Sequence, residues 1–300
     1  MATTTKIDFM KYRHLWTGIS VVVVLVSVVS LMVNFMELGL DFTGGTQIEV
    51  EFKEPADLER VRQTLAASPY SDAAAQHFGR PEEVLVRVPP NEGENKDVIG
   101  HAVHELLKTV YPDVTLKRVE FVGPQVGGEL RDKSGIAMLV SFAIIMIYVS
   151  IQFRFKFAVG GIVALVHDVV VTLGFFSLTG MVFDLTAFAA ILTIIGFSIN
   201  DTIVVYDRVR ENFRKLRNES PAEIINIALN ETLSRTIRTS ATVFLVLVAL
   251  AVLGGEMINS FAIAMIVGVI AGVYSSIYVA SSMLLTQNIS REDFLEQEKV

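Results

Sequence analysis

Asp201 sits inside 187–206 (AFAAILTIIGFSINDTIVVY), a mostly apolar run long enough to cross a bilayer. A carboxylate at the centre of such a helix costs about 2.5–3.5 kcal/mol on insertion scales. Acids kept there usually face a bundle interior or a water path, and ion or proton relays are a common reason for keeping them. Asp168 lies midway along the preceding apolar run, with His167 just before it. Asp201 stands about five residues before the end of its run, roughly 7–8 Å deep at 1.5 Å per residue. Arg235 and Arg238 enter the fifth run from the same side, so the expectation is a carboxylate–guanidinium pair with Asp201. An acid that alternates between an arginine and a proton is a compact switch; the competing reading is a static ion pair that helps packing.

Asp168 is expected to be a second relay site, or else to bond span hydroxyls such as Thr193, Ser198 or Thr202. Neighbouring helix positions point about 100° apart, so His167 need not share its face; His167 is expected to be a buried hydrogen-bonding residue. No HExxH and no third nearby ligand occur, so zinc is not expected. There is no GxxxxGK[ST] and no Ser–His–Asp constellation. The expectation is a chain that is not an enzyme and carries no cofactor, with protons, or as a second candidate sodium, as coupling ion. The serine and threonine residues near Asp201 form no recognisable sodium cage.

These residues are positioned by six apolar runs, near 15–35, 134–153, 157–178, 185–206, 237–253 and 258–285, each approaching the roughly 20 residues a bilayer needs. The fifth is short unless it begins near Leu233, and the sixth is longer than needed. Of the 300 residues, 52% are hydrophobic and 19% charged, and the mean hydropathy is +0.51. A net charge of −7 does not suggest nucleic acid, whose binding needs a concentrated basic face. Zero cysteines exclude disulfides and cysteine-ligated metals. The first run is too long for the core of a cleaved signal and no small-x-small site follows it, so it is read as an uncleaved anchor.

Orientation follows from Lys and Arg in the short loops. The N-terminus carries Lys6, Lys11 and Arg13, the turn after the second run Arg154 and Lys156, and the segment 207–236 a basic cluster; the turns 179–184 and 254–257 carry none. Both termini are therefore expected in the cytoplasm and the loop 36–133 outside. The division is a cytoplasmic N-terminus 1–14, a first span 15–35, an extracytoplasmic domain 36–133, spans two to four over 134–206, cytoplasmic amphipathic helices over 207–236, spans five and six over 237–285, and a tail 286–300. Basic residues in 207–236 suit anionic lipid, and Ser220-Pro221-Ala222-Glu223 fits a helix N-cap with Pro at N1 and Glu at N3.

The loop alternates like strands over 46–52, 83–88 and 114–122, with helical patterns over 55–67 and 97–110; Val98, Val103, Leu106 and Val110 form the second helix's stripe. A further strand near 71–78 (SDAAAQHF) would complete β-α-β-β-α-β, though its sequence is poor. The expected fold is an α-helical polytopic membrane protein of six transmembrane helices, with an extracytoplasmic α+β ferredoxin-like domain between helices 1 and 2. Gly44 and Gly45 suggest a tight turn into the first strand. Ala264, Gly268, Gly272, Ser276 and Ala280 recur every four residues and include a GxxxG match, which predicts close helix contact, internal packing foremost. Gly160, Gly161 and Gly196 suggest similar close approach, and Gly196 a bend as well.

GLDFTGGT (39–46), ALVHDVVVTLGFF (164–176), GFSINDTIVVYDRVREN (196–212), NETLSRTIRTS (230–240) and SSIYVASSMLL (275–285) together closely resemble SecF, the smaller half of the SecD–SecF accessory complex of protein export. The resemblance covers essentially the whole chain. It implies a relative of the resistance-nodulation-division transporters that pairs with SecD, six spans each, about a pseudo-two-fold axis in the cell inner membrane. It further implies use of the proton gradient, or in some organisms sodium, to draw a secreted polypeptide outward after SecA and the SecYEG channel have acted. YajC and YidC are further candidate partners, beside membrane lipid. Asp201 falls in the family's N-D-T motif, Asp168 in its H-D-V motif and Arg235 in R-T-x-x-T-S, with Arg238 at a variable position. Asp41, Gly44, Gly45, Gly196, Asn200, Asp207 and Arg208 fall on motif positions read as structural, and Gly268 and Gly272 on the packing ladder. The alternatives are half of a small-molecule or lipid exporter of the same superfamily, and a scaffold that transports nothing.

Overall fold

A computed structural model of the chain describes residues 7–90, 96–153, 155–290 and 292–295. Lys6 and Arg154, used above for orientation, lie outside the described residues. Among the described residues, six helices are long and apolar enough to cross a membrane. They are α1 (Arg13–Val33), α5 (Pro124–Gln152), α6 (Phe155–Thr179), α7 (Leu185–Lys215), α8 (Pro221–Leu253) and a composite sixth. The sixth runs from α9 (Glu256–Tyr274) through a π-helical stretch, Ser275–Ala280, into α10 (Ser281–Thr286). Glu292–Leu295 forms a last short turn, α11.

Several helices outrun their apolar cores. α5 starts at Pro124, ten residues before the apolar composition begins, because Pro at its first turn and good helix formers let the polar lead-in continue the same helix. α7 runs on to Lys215, and α8 begins at Pro221 behind a capping box in which the Ser220 hydroxyl accepts from the Glu223 amide and the Glu223 carboxylate accepts from the Ser220 amide. The segment 207–236 is thus the end of one span helix and the beginning of the next.

α6, α7 and the sixth helix form the buried centre, while α1, α5 and α8 leave broad apolar faces exposed. Close approach is set by small residues. A side chain at Gly268 would overlap Ile194, one at Gly272 would press on Ser198, and one at Gly174 would overlap Ser27. Gly160 lies under the Tyr206 hydroxyl and Gly161 near Ile199. Gly196 differs from expectation: nothing lies within 4 Å of it, and α7 continues unbroken through it. It faces outward, so it brings no helix close.

Two devices tie the ends of the bundle together. At one end the N-terminal strand of chain lies across α8: Asn230 bonds both the amide and the carbonyl of Ile7, and Asn226 accepts from the Phe9 amide. Phe9 and Met10 are buried beneath. At the other end α2 (Leu40–Thr43) makes one turn and stops at Gly44 and Gly45, whose φ of 69° and 118° suit glycine alone. Asp41 accepts from the Leu185 amide, the Gly39 amide donates to the Phe183 carbonyl, and Phe42 stacks on Phe183.

Between α2 and α5 lies a small α+β domain: β1 (Gly45–Glu51), α3 (Leu58–Ala66), β2 (Ala74–Phe78), β3 (Arg80–Val88), α4 (Lys96–Lys108) and β4 (Thr115–Val122). The sheet is antiparallel, in the order β2-β3-β1-β4. Ile48, Val50, Val84 and Val86 point to one face and pack with Val61 and Leu65 of α3 and Val103 and Leu107 of α4. The buried α4 stripe is Ile99, Val103 and Leu107: Val103 is as expected and Leu106 packs partly buried on the same core, while Ile99 is buried in place of Val98, which is exposed, and Leu107 in place of Val110. α3 is capped by Asp57, so Pro55 precedes the helix rather than opening it. The opposite sheet face, with Gln47, Glu49, Arg87 and Glu120, overlooks a cleft of about 840 Å³ above the helix ends at Met181–Thr186 and Met257–Ser260. Burial lowers the Arg87 guanidinium from its usual value, opposed by the Glu37 and Asp184 carboxylates.

Candidate functional site

The side chains that could carry charge through the bundle fall into two clusters on neighbouring faces of α7. The first is built on Asp168 of α6, which is fully buried. Its Oδ1 lies 2.9 Å from His167 Nδ1. Its Oδ2 accepts from Ser198 of α7 at 2.5 Å and from Ser275 of the π-helical stretch at 2.8 Å. Ser198 is the one of the three hydroxyls anticipated; Thr202 instead meets Ser276 at 2.8 Å, and Thr193 bonds the Ala189 carbonyl of its own helix.

A polar seam extends from this cluster. Ser198, Thr202 and Tyr206 recur at every fourth residue, on one face of α7. They meet Ser275, Ser276 and the Ala280 carbonyl in turn, the last through the Tyr206 hydroxyl at 3.1 Å. The π-helical winding makes this possible, because it presents two consecutive serines toward neighbouring helices. Such stretches occur mostly as single turns and often at functional sites.

The second cluster is built on Asp201, which is buried and turned toward α8, where the Ser240 hydroxyl lies 3.4 Å from Oδ2. The expected contact with Arg235 or Arg238 is not formed: neither makes an ion pair with Asp201, and both are exposed. For Arg238 the reason is helix phase, since it lies two residues and so about 200° round α8 from Ser240; for Arg235 it is the register of the antiparallel α7–α8 pair. Asp201 is level with Ser240, and Arg208 reaches Glu231 at 3.4 Å; Arg235 is therefore level with Tyr206, nearer the helix end. Arg235 lines a cavity of about 410 Å³ with Asp207, Arg208, Glu211 and Glu231. Arg208 also pairs with Glu211 at 2.6 Å, and Asn212 donates to Glu231 at 2.8 Å. Asp207 is exposed beside that cavity, while Asn200 and Gly196 face outward from α7. Gly268 and Gly272 stand behind the first cluster, where they let the sixth helix approach α7.

Sequence reasoning missed Ser240, Ser275 and the His167–Asp168 contact. The available signal was the placement of serines inside otherwise apolar runs, which have to spend their hydroxyls on a partner. Among the described residues no group of three His, Asp or Glu side chains is arranged to hold a metal ion.

Six apolar helices enclosing ionisable side chains, joined to one small α+β domain, define a polytopic membrane protein whose chemistry lies between its spans. Residues 102–289 match the family model described as protein export membrane protein SecD/SecF, C-terminal, and residues 29–56 match the SecD/SecF GG motif. The chain belongs to the SecD/SecF family of protein export membrane proteins. It is 44% identical to the protein translocase subunit SecF of Vibrio alginolyticus, over 96% of this chain and 92% of that protein. To the SecF subunit of Pseudomonas aeruginosa it is 43% identical, over 96% and 94%. Among solved structures it resembles SecDF from Thermus thermophilus, with a TM-score of 0.87 and 35% identity over 96% of this chain. It also resembles the super-membrane-facing form of SecDF, with a TM-score of 0.70 and 34% identity over 98% of the chain. In each case it spans 40% of the length of the SecDF chain.

Proposed function

We propose that this chain acts as the SecF subunit of a protein translocase and couples an ion gradient to the outward movement of a secreted polypeptide. The observation that carries this reading is the likeness to SecF subunits over nearly the full length, with 92% and 94% of those proteins covered, in a chain whose spans keep two buried carboxylates. The proton is the coupling ion proposed, and sodium is the second candidate. A proton entering from outside neutralises Asp201, its interactions with Ser240 and Arg235 weaken, α7 and α8 shift, and the α+β domain changes pose with polypeptide attached. Loss of the proton to the cytoplasm resets the bundle. Moving one charge through 100 mV supplies about 2.3 kcal/mol, so a few protons drive a stepwise pull.

The partner proposed is SecD, supplying the other six spans. The exposed apolar faces of α1, α5 and α8 support lipid and partner contact there. SecYEG, SecA acting indirectly, YajC and YidC complete the proposed assembly in the inner membrane. The Lys and Arg distribution supports cytoplasmic termini and an external α+β domain. The strand order and the two helices on one sheet face support a ferredoxin-like reading of that domain.

The test is gradient-driven export in vesicles carrying this chain with SecD, after ATP is removed, comparing wild type with Asp201→Asn at equal assembly. Loss of the gradient-dependent part is expected. Unchanged export would make the buried acid structural and the chain a scaffold.

A further inference from the structure

His167 has a chemical position that the function proposed above does not use. Both oxygens of Asp168 are occupied, Oδ1 by His167 Nδ1 and Oδ2 by two serine hydroxyls. An imidazole donating Nδ1–H to a carboxylate has its tautomer fixed, and the other nitrogen then carries a bare lone pair. That nitrogen, Nε2, is buried without a hydrogen-bond partner, in a ring only 7% exposed. Buried polar atoms left unpaired are few in folded proteins, and each calls for an explanation such as a functional role or a water or ion.

We propose that His167 Nε2 is a proton-binding atom within the bundle, with Asp168 as its fixed counter-charge. The step is balanced by one proton: Nε2 bonds it, the imidazole becomes imidazolium, and the carboxylate keeps its three donors. The cluster goes from one negative charge to neutral. Asp168 thereby changes role from that expected of it: it positions and compensates the carrier rather than taking the proton itself. The division of labour is the one an aspartate–histidine pair performs wherever the acid holds the ring and the ring moves the proton.

The surroundings suit this. Tyr274 of α9 packs its ring against His167 with centroids 5.8 Å apart. The Tyr274 hydroxyl donates to the Trp16 carbonyl at 2.7 Å and lies 2.7 Å from Ser20 Oγ of α1. Tyr278 stacks beyond it. α7 contributes Ser198 to the cluster; Asp201, three residues further along, accepts from Ser240 of α8. Among the described residues no Lys or Arg pairs with Asp168, so the histidine is the cation available to it.

The inference rests on the reading that the bundle carries protons, and its test is separable from the Asp201 test. Ring-15N-histidine NMR of the chain assembled with SecD in bilayers, with His167→Gln to assign its signal among the five histidines, reads the tautomer and the charge directly. Expected are Nδ1–H with bare Nε2 at high pH, protonation of Nε2 as the pH is lowered across the range the bilayers tolerate, and loss of the fixed tautomer in Asp168→Asn. In gradient-driven export, His167→Gln, which can still donate to Asp168, is expected to lose at least tenfold with assembly unchanged. An Nε2–H tautomer, a ring that never charges over that range, or a His167→Gln complex that exports at the wild-type rate would each overturn the proposal. Loss of coupling in Asp201→Asn while His167 still titrates leaves this site standing; a silent Asp201→Asn with a titrating His167 sinks the function proposed for Asp201 and not the protonation of the ring.

Discussion

The carboxamide of Asn230 closes on the backbone of Ile7 from both sides: Nδ2 donates to the Ile7 carbonyl and Oδ1 accepts from its amide, each at 2.8 Å. A side chain thus does what a neighbouring strand would do. Asn226, one turn earlier on α8, repeats the acceptor half on Phe9 at 2.8 Å. Asn230→Ala removes two bonds and is expected to loosen this attachment by about 1–2 kcal/mol. Amide hydrogen exchange at Ile7 and Phe9 measures it; protection equal to wild type would mean that the buried Phe9 and Met10 side chains hold the segment unaided.

Gly268 and Ile194 form the tightest seam of the central helices, since a β-carbon at 268 would lie 2.2 Å from the isoleucine side chain. Gly268→Leu is expected to destabilise the bundle by about 1–3 kcal/mol through overpacking. Ile194→Ala in the same chain is expected to restore part of the loss, because it opens the space the leucine needs. Thermal unfolding in detergent of the single and double variants reads both; additive losses would place the damage elsewhere.

Glycines 45 and 196 predict opposite results. At Gly45 the φ of 118° excludes a β-carbon, which would also meet the Val88 carbonyl at 2.5 Å. Gly45→Ala is expected to cost about 1–3 kcal/mol. At Gly196, in the middle of α7 with open space around it, alanine is expected to be neutral or to stabilise by about 0.5–1 kcal/mol through helix propensity. Melting temperatures of the two variants decide it, and equal losses at both positions would remove the conformational argument.

Asp293 anchors the chain after the sixth helix. Burial by itself would raise its carboxyl, but Lys156, 2.7 Å away, and Ser290 outweigh that and hold it below its usual value of 3.8. A group depressed in the folded state stabilises above its unfolded value and loses that stabilisation as the pH falls through the folded one. Docking of α11 is therefore expected to be intact at neutral pH, to weaken from about pH 4 downward, and to be weakened at neutral pH by Asp293→Asn. Exchange protection of the Ser290 and Asp293 amides follows it; a pH-independent anchor would show that the ion pair contributes nothing.

The spans were legible because bilayer length and apolar composition are local properties, and the Ser220 capping box because its whole grammar lies within four residues. β2 was called for near 71–78 by the topology and not by its own residues: its alanines have little intrinsic strand preference, and the strand forms at Ala74–Phe78 because β3 offers it a pairing edge. Val103 of the α4 stripe was legible, but Ile99 and not Val98 is buried beside it, because both are apolar and only the sheet beneath decides between them. Asp201 and Asp168 announced themselves as acids in apolar runs. Of their partners only Ser198 was anticipated; Ser240 and Ser275 lie 39 and 107 residues away and the match depends on helix register. Depth counted from helix ends paired Asp201 with Arg235, which stands five residues, about one and a half turns, from the level of Ser240, and with Arg238, which is near the right depth but on another face of α8.

The π-helical stretch from Ser275 to Ala280 also settles an arithmetic problem. Residues spaced by four advance 400° on an α-helix of 3.6 residues per turn, so the series Ala264, Gly268, Gly272, Ser276, Ala280 drifts about 40° at each step. A straight α-helix would carry its later members away from α7. A wider-wound turn near the end reverses the drift, and Ser276 and Ala280 remain opposite Thr202 and Tyr206. The length of the stretch matters in a strict sense: rewinding 275–280 as ordinary α-helix with every residue kept would rotate everything after it by roughly 100°. Four-residue spacing and π winding are one trait, and neither can be inherited without the other.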